Sequence, residues 1–400
     1  MTEPPAAWEP ILDGALATSA WEAIRDIART IADGQGMRRR PTDEALFWAY
    51  IAGAIEEDWV ARCYDDATER LVPAITEHAG SLALHGGLTG TAFVIAHISE
   101  PGAAEEVLAE IDGALGTVLA TERWQGEYDL IGGLVGHGVY FLERGDVPSA
   151  QRGLARVIHH LQALREQTPD GATWHTTPAQ VPAWQRERSP AGYYNCGLAH
   201  GVPGVVALLG RAGTDRELAR ETLRWLEAQQ LPDQGSPSWV TPSGSRAPAR
   251  TAWCYGDPGV AIAAWGACAR LGLPIDPWRE LALACAARPR EATGVIDTSL
   301  CHGAAGLGHI YNRCYQASHE PALRDAARAW FERTLEMRRP DGLAGFAAWT
   351  SDEAGTGWRP AADLIEGAIG LALAQLAAVH PTEPAWDRLF QCDLPLATGI

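Results

Sequence analysis

The chain has 400 residues, with 32 basic and 50 acidic side chains and a formal net charge of −18 at pH 7. This excess of negative charge argues against nucleic acid and against anionic membrane surfaces as primary partners. The N-terminus lacks the basic and apolar segments of a signal peptide, and no apolar run reaches the length of about 18 residues that a membrane span needs. Eight cysteines without the dense spacing of a disulfide framework fit a reducing compartment, so we expect a cytoplasmic protein.

Helical patterns begin the chain, at about residues 11–33 and 44–59, and three arginines at 38–40 lie between them. We interpret these arginines as a solvated face. A repeat runs through most of the rest of the chain, which favours one domain over residues 1–400. Its parts are N-terminal helices over 1–80, the repeats over 81–380 and a tail over 381–400.

The repeat is a Gly-x-x-Gly motif that opens an apolar segment. It occurs at Gly87/Gly90, Gly133/Gly136, Gly201/Gly204, Gly256/Gly259, Gly303/Gly306 and Gly367/Gly370. The segments after the motif, such as 204–210, 259–269 and 370–379, are apolar on nearly every side and predict buried helices.

The segments between the motifs are apolar on one side, which predicts outer helices. Their stripes are Leu218, Thr222, Trp225 and Leu226; Val107, Ile111, Leu115 and Val118; and Trp330, Phe331 and Leu335. Alternation of inner and outer helices predicts an all-α fold, a double-layered α/α toroid in which six or more hairpins surround a central cavity. Three stretches lack a helical period, 166–195, 231–250 and 341–361, and we expect ordered, functional loops there.

The residues just before each glycine motif should meet at one rim of the toroid, where the inner helices begin and the glycines let the backbone turn tightly. Cys254, Cys301 and His302 occupy these positions in two neighbouring repeats. Two thiolates and an imidazole suit zinc, and three protein ligands with an open fourth position are typical of a catalytic site. We therefore predict one zinc ion per chain. The other cysteines are interpreted as small core residues.

Three further side chains stand at or beside these rim positions. His200 has no cysteine neighbour, so we interpret it as an acid/base group rather than a ligand. Tyr255 offers either a donor hydroxyl or a packing ring. His85 is interpreted as a structural histidine.

The stretches "NCGLAHGVPG", "RTAWCYGDPG" and "LCHGAAG" occur in this order, with "EYDLIGGLVG" before them and "DLIEGAIGLALAQLA" after them. Over residues 80–380 the chain thereby resembles the lanthionine synthetase C family of lanthipeptide cyclases. The resemblance implies a toroid of seven hairpins, one zinc ion held by Cys254, Cys301 and His302, and closure of thioether rings in a dehydrated precursor peptide. The N-terminal helices would then supply the seventh hairpin.

The resemblance also implies roles for individual residues. Asp129 stands where the family has a catalytic aspartate, although a loop aspartate before a helix is commonly an N-cap. Arg250 stands where the family has an active-site arginine, although a surface ion pair would also explain it. In this interpretation His200 protonates an enolate, and Arg250 and Tyr255 stabilise developing charge. Asp129 either holds or polarises His200 or helps to remove the proton of the substrate thiol. A separate dehydratase and an exporter are implied as partners, and the three long loops would form the peptide-binding edge.

Other interpretations remain open from the sequence. The same toroid and zinc site would serve addition of a thiol such as glutathione in trans. A glycoside-processing barrel would use the carboxylates of Asp129 and Glu366, but it leaves the two cysteines and His302 unexplained. A non-catalytic peptide-binding scaffold would retain zinc for structure alone.

Overall fold

The computed structural model describes residues 7–34, 40–232, 234–352 and 355–397. Two of the three arginines at 38–40 therefore lie outside the described residues. The helices are α1 (Gly14–Asp33), α2 (Pro41–Ala54), α3 (Asp58–Glu69), α4 (Leu71–His78), α5 (Leu88–Ile98), α6 (Glu105–Leu119), α7 (Leu134–Glu143), α8 (Pro148–Leu164), α9 (Ala183–Arg186), α10 (Val202–Ala212), α11 (Arg216–Gln229), α12 (Asp257–Leu271), α13 (Asp276–Ala286), α14 (Ala304–Ser318), α15 (Pro321–Glu336) and α16 (Ala368–Val379). Short 3₁₀ helices span Arg290–Ala292 and Ala385–Phe390.

Among the described helices, seven form a closed inner ring. Each contacts the next in the order α2, α5, α7, α10, α12, α14 and α16, and α16 contacts α2. Six of the seven begin directly after the first glycine of a Gly-x-x-Gly motif, and their apolar character explains their position. In α10, for example, every residue from Val202 to Gly210 is buried. A helix that is apolar on every side is stable only where neighbours cover every side, which confirms the predicted inner layer.

One-sided helices pack around this ring and form the outer layer. The stripe of α11 is buried as predicted, at Leu218, Thr222, Trp225 and Leu226. The stripe predicted for α6 is wrong at one position, because Val118 is 41% exposed. The neighbouring Leu119 is completely buried there instead.

The N-terminal helices complete the ring. Helix α2 lies between α5 and α16, and α1 packs outside against α15 and α16, so the chain's two ends meet. The helix predicted over 44–59 is wrong at its end, because α2 stops at Ala54 and α3 begins at Asp58. Ile55 takes an extended conformation, with φ −127° and ψ 101°, and ends the first helix.

The glycine motifs bring the backbone close to itself at the rim, the end of the ring where the inner helices begin. A Cβ atom on the second glycine of each motif would come within 3.0 Å of the carbonyl oxygen of the residue six positions earlier. Among the motif glycines, a left-handed φ occurs at Gly256, with a value of 100°. Elsewhere the glycine is required mainly because a side chain would not fit.

Backbone hydrogen bonds join neighbouring rim loops. In each bond the backbone N–H of one loop donates to a backbone C=O of the next. The pairs, donor first, are Leu84 and His85 to Ile131, Leu130 to Ala199, Ala199 to Cys254, Trp253 and Cys254 to Cys301, and Cys301 to Ile365. Helix α2 is the one inner helix among those described that has no glycine motif. There the Leu364 N–H donates to the carboxylate of Asp43 at the start of α2. The rim residues of successive repeats are therefore held side by side.

The three loops predicted without helical period contain all the described strands. These are β1 (Glu166–Thr168), β2 (Gly171–Thr173), β3 (His175–Thr176), β4 (Tyr193–Asn195), β5 (Pro237–Val240), β6 (Arg246–Pro248), β7 (Ala348–Asp352) and β8 (Gly355–Arg359). Strands β3, β4, β5 and β6 form an antiparallel sheet in that order, with Asn195 opposite Trp239. The fold is mostly helical, as predicted, and these strands are too short to show alternation in the sequence.

The C-terminal segment 384–394 lies in the lumen, the space enclosed by the inner helices. Arg313 on α14 forms a two-point ion pair with Asp387, whose carboxylate also contacts His309. Arg388 pairs with Glu143 on α7. Because partners from different inner helices hold this segment, the central cavity of the predicted toroid is filled rather than open.

Candidate functional site

The rim loops before α12 and α14 bring Cys254, Cys301 and His302 together. One ligand atom from each side chain lies within 4.8 Å of those from the other two. The bonds from the Trp253 and Cys254 N–H groups to the Cys301 carbonyl hold the two loops in this register. Within the described ranges, no other set of three or more His, Cys, Asp or Glu side chains converges in this way.

The electrostatics of the cluster favour a negative sulfur beside a basic ring. The hydrogen bond between the two thiols lowers the pKa of Cys254, with help from His302, and the same bond together with burial raises the pKa of Cys301. Burial opposes the charged form of His302, but hydrogen bonds to Asp297 and Cys254 raise its pKa to about 9. Two thiols and an imidazole at this separation match the donor set that zinc prefers, so the residues present fit such an ion.

Asp297 supports the imidazole from behind. Its Oδ2 lies 3.2 Å from Nε2 of His302, and its side chain is completely buried. The backbone N–H of Trp349 on β7 also donates to Oδ2, and the backbone N–H of Ser299 donates to Oδ1. A buried carboxylate behind one ring nitrogen is the usual support of a metal-binding histidine.

A second polar group lies on the same rim, in the two repeats that precede those of the cluster. His200 Nδ1 is 2.5 Å from Oδ2 of Asp129, whose Oδ1 accepts the backbone N–H of Gly132 at 2.9 Å. Asp129 is not the N-cap of α7, which is Gly133; its carboxylate instead holds a loop N–H and a histidine ring. Burial opposes the charged form of His200, but the bond to Asp129 raises its pKa. The His200 side chain is 45% exposed, so its other nitrogen remains accessible.

A cavity of about 560 Å³ joins the four residues predicted to be catalytic. Asp129, His200, Arg250 and Tyr255 all line it, and the His200 and Tyr255 rings stack with centroids 6.5 Å apart. The opposite wall comes from the loop sheet, through Tyr193, Ser238 and Trp239. Cys254, Cys301 and His302 are not among the cavity's lining residues, but the lining residue Tyr255 follows Cys254 in the chain, and the positive charge of Arg250 helps to lower the pKa of Cys254, so the cavity lies next to the cysteine–histidine cluster. Two of the three stretches predicted as ordered loops, 166–195 and 231–250, thus contribute one side of the cavity.

Three residues at the site were not predicted. Glu127 lines the cavity, and burial, with a smaller effect from Asp129, raises its pKa. Asn195 is buried and donates to the Tyr255 hydroxyl oxygen at 3.0 Å. Asp297 is the support of His302 described above. All three lie within six residues of a rim position, but the spacing does not show where their side chains point.

Two other rim residues, Glu366 and His85, do not line the cavity. Glu366 is half-buried, and burial raises its pKa, but it is not one of the residues that enclose the cavity with Asp129. The pair of Asp129 and Glu366 expected for glycoside chemistry is therefore not assembled in this cavity. His85 packs near the rings of Trp253 and Phe390, and burial lowers its pKa to about 4, as suits a structural histidine.

The fold and the rim define a helical toroid with a cysteine–histidine cluster next to an aspartate–histidine pair. The chain belongs to the lanthionine synthetase C-like protein family, whose model matches residues 45–391. Its structure is similar to that of a protein named nisin cyclase, with a TM-score of 0.72 and 18% sequence identity, over 92% of this chain and 97% of the other. No curated protein matches the sequence. None of the helices within the described ranges is long and apolar enough to cross a membrane.

Proposed function

We propose that the protein is a zinc-dependent lanthipeptide cyclase. It adds cysteine thiolates of a dehydrated precursor peptide to dehydroalanine or dehydrobutyrine in the same peptide, forming lanthionine and methyllanthionine thioether rings. The observation that carries the proposal is the presence, on one rim, of the Cys254–Cys301–His302 cluster and, beside it, of the Asp129–His200 pair lining a cavity with Arg250 and Tyr255. Membership of the family and the fold shared with nisin cyclase support it.

Cys254, Cys301 and His302 would hold the zinc ion. A free cysteine thiol has a pKa of about 8.5, so only a few per cent is ionised at neutral pH. When bound, the ion supplies Lewis acidity that stabilises the substrate's thiolate at neutral pH. The position of Asp297 behind Nε2 supports assigning Nδ1 of His302 to the metal.

The chemical step forms a carbon–sulfur bond at the β-carbon of the dehydrated residue. The electrons of the carbon–carbon double bond move to the α-carbon and its carbonyl, giving an enolate that needs a proton at the α-carbon. His200 would donate it from Nε2, because Asp129 holds Nδ1 and favours the protonated ring. The thiol loses its proton to solvent and His200 regains one from solvent, so the enzyme is restored and the product is an isomer of the substrate.

The enolate oxygen needs hydrogen-bond donors while negative charge develops on it. Tyr255 and Arg250 line the cavity beside His200 and would supply them. The alternative of a surface ion pair for Arg250 does not account for its place in the cavity. We place the acceptor residue of the peptide in this cavity and the flanking peptide along the loop sheet.

The proposal implies partners for the protein. The precursor peptide must arrive already dehydrated, so a separate dehydratase acts first, and an exporter would follow. Because its eight cysteines are free, we propose that the chain works in the reducing cytoplasm. We also propose that residues 1–400 form a single domain.

The test uses a synthetic peptide that carries one dehydroalanine and one cysteine a few residues apart, incubated with zinc-loaded protein. We expect the peptide mass to stay constant while its thiol becomes resistant to alkylation, faster than in buffer with zinc alone. A thiol that stays reactive at the rate seen in buffer would contradict the proposal. With glutathione present, a mass gain of one glutathione would instead favour addition in trans. Binding without either product would favour the scaffold.

A further inference from the structure

The buried amide of Asn195 sets the direction of the Tyr255 hydroxyl. Asn195 lies on β4, immediately before the rim loop of α10, and is 2% exposed. Its Oδ1 accepts the backbone N–H of Gly197 at 2.9 Å. A backbone N–H can only donate, so this bond fixes which end of the amide is oxygen. The NH₂ end therefore faces Tyr255.

The phenol can use its hydrogen in one direction only. Asn195 Nδ2 lies 3.0 Å from the Tyr255 oxygen and donates to it, since an amide NH₂ has no lone pair to offer in return. A phenol hydrogen lies near the plane of the ring, on one side of the oxygen or the other. With one side taken by the incoming Asn195 N–H, the hydroxyl hydrogen takes the other.

The remaining direction for the Tyr255 hydroxyl hydrogen leads into the cavity. Tyr255 lines the 560 Å³ cavity together with His200, and the two rings stack at 30°. The backbone at both residues is held in place. Tyr255 follows the rim residue Cys254, and Asn195 is anchored in the sheet by its pairing with Trp239. The donor is therefore oriented before a substrate arrives.

We propose that Asn195 is a positioning residue that commits the Tyr255 hydroxyl to donate to the carbonyl oxygen of the dehydrated acceptor residue, which marks this cavity as the acceptor subsite. The inference rests on the proposed cyclase function. A donor that is already oriented toward the oxygen on which charge develops stabilises the transition state more than the bound substrate. The same geometry would not help a site that only binds peptide.

The test is a double-mutant cycle with Asn195→Asp and Tyr255→Phe. Aspartate keeps the shape of asparagine and its bond to the Gly197 N–H, but it offers Tyr255 an acceptor instead of a donor. The phenol hydrogen should then turn toward the carboxylate and away from the cavity. Loss of one such donor lowers kcat by about 10²–10³-fold. We expect Asn195→Asp to approach that loss with KM changed little.

The Tyr255→Phe background separates the hydroxyl from the added charge. There, Asn195→Asp should lower kcat by no more than about threefold further, since the donor is already gone. If the second substitution lowers kcat by the same factor in both backgrounds, the charge alone acts and the inference is wrong.

A binding measurement adds a readout that a merely structural role would not reproduce. Titration with an inert peptide, in which alanine replaces dehydroalanine, should give the same Kd for wild type and Asn195→Asp. A Kd weakened in proportion to kcat would overturn the inference, because Asn195 would then shape the subsite as a whole. If wild-type protein cyclises nothing, the proposed function fails. If it cyclises and the cycle is additive, only the role of Asn195 fails.

Discussion

Two parts of the ring each pair a buried carboxylate with a basic side chain, and their surroundings differ. In the lumen, Asp387 and Arg313 are both completely buried, and His309 also contacts the same carboxylate. At the rim, Asp129 is buried but its partner His200 is 45% exposed and faces the cavity. Both partners of the lumen pair are closed off, so that pair can only stabilise the fold. The rim pair leaves one nitrogen open to exchange a proton.

We expect the largest effect from replacing His200, the exposed partner in the rim pair. His200→Asn should lower kcat by about 10²–10⁴-fold, because it removes the proposed proton donor. Its unfolding free energy should change little, since nearly half of the side chain is exposed. His159→Asn on the exposed face of α8 is the matched control and should behave as wild type. Turnover close to wild type in His200→Asn would remove this residue from the mechanism.

The lumen pair should respond in the opposite way. Asp387→Ala leaves the buried Arg313 guanidinium without its main partner and should lower the unfolding free energy by about 3–5 kcal/mol. Urea denaturation of the metal-loaded protein measures this. Asp341→Ala, which removes an exposed ion pair with Arg339, is the control and should unfold at the wild-type urea concentration. Equal midpoints for both variants would mean that the lumen pair does not hold the C-terminal segment.

The pH dependence sharpens the comparison at the rim. Asp129 raises the pKa of His200 above its usual 6.5, and the protonated form is the proposed donor, so the rate should fall as pH rises through this pKa. In Asp129→Asn the fall should begin at lower pH. The rate at neutral pH should drop by about 10–100-fold, the range for a hydrogen bond to a charged group. A pH–rate profile measures both, and an unchanged alkaline limb would show that Asp129 does not tune the donor.

The smallest effect concerns the support of the metal ligand. Asp297→Asn should weaken zinc binding by about 10–100-fold, measured by competition with a chelator. Asp363→Asn is a suitable control, because that rim carboxylate accepts the Glu366 N–H rather than contacting a proposed ligand. Equal zinc affinities in the two variants would leave Asp297 without a role at the metal.

Much of the fold could be predicted because the repeat indicates how inner and outer helices alternate. The glycine motifs mark where inner helices begin, and the apolar character of segments such as 204–210 marks them as buried. The sequence did not reveal the lumen segment, because no local pattern shows that Asp387 meets Arg313 across 74 positions of the chain. The strand pairing of Asn195 with Trp239 is equally remote and rests on strands of three and four residues.

The site shows the same division. Residues at the rim positions, such as Cys254, Cys301 and His200, could be found because the repeat places them at equivalent points of a ring. Asn195 and Asp297 lie outside those positions and act through the direction of their side chains. That direction depends on the backbone N–H groups of Gly197 and Ser299 that anchor them, which spacing does not encode.

The most direct test of the central claim is the zinc content of protein purified without chelators, compared among wild type, Cys301→Ala and Cys314→Ala. Cys314 is a buried cysteine of α14 outside the cluster and controls for loss of a core thiol. We predict about one zinc ion per chain in wild type and in Cys314→Ala, and none in Cys301→Ala. Wild-type protein that binds no zinc even when the ion is supplied, or a Cys301→Ala variant that retains it fully, would contradict the account.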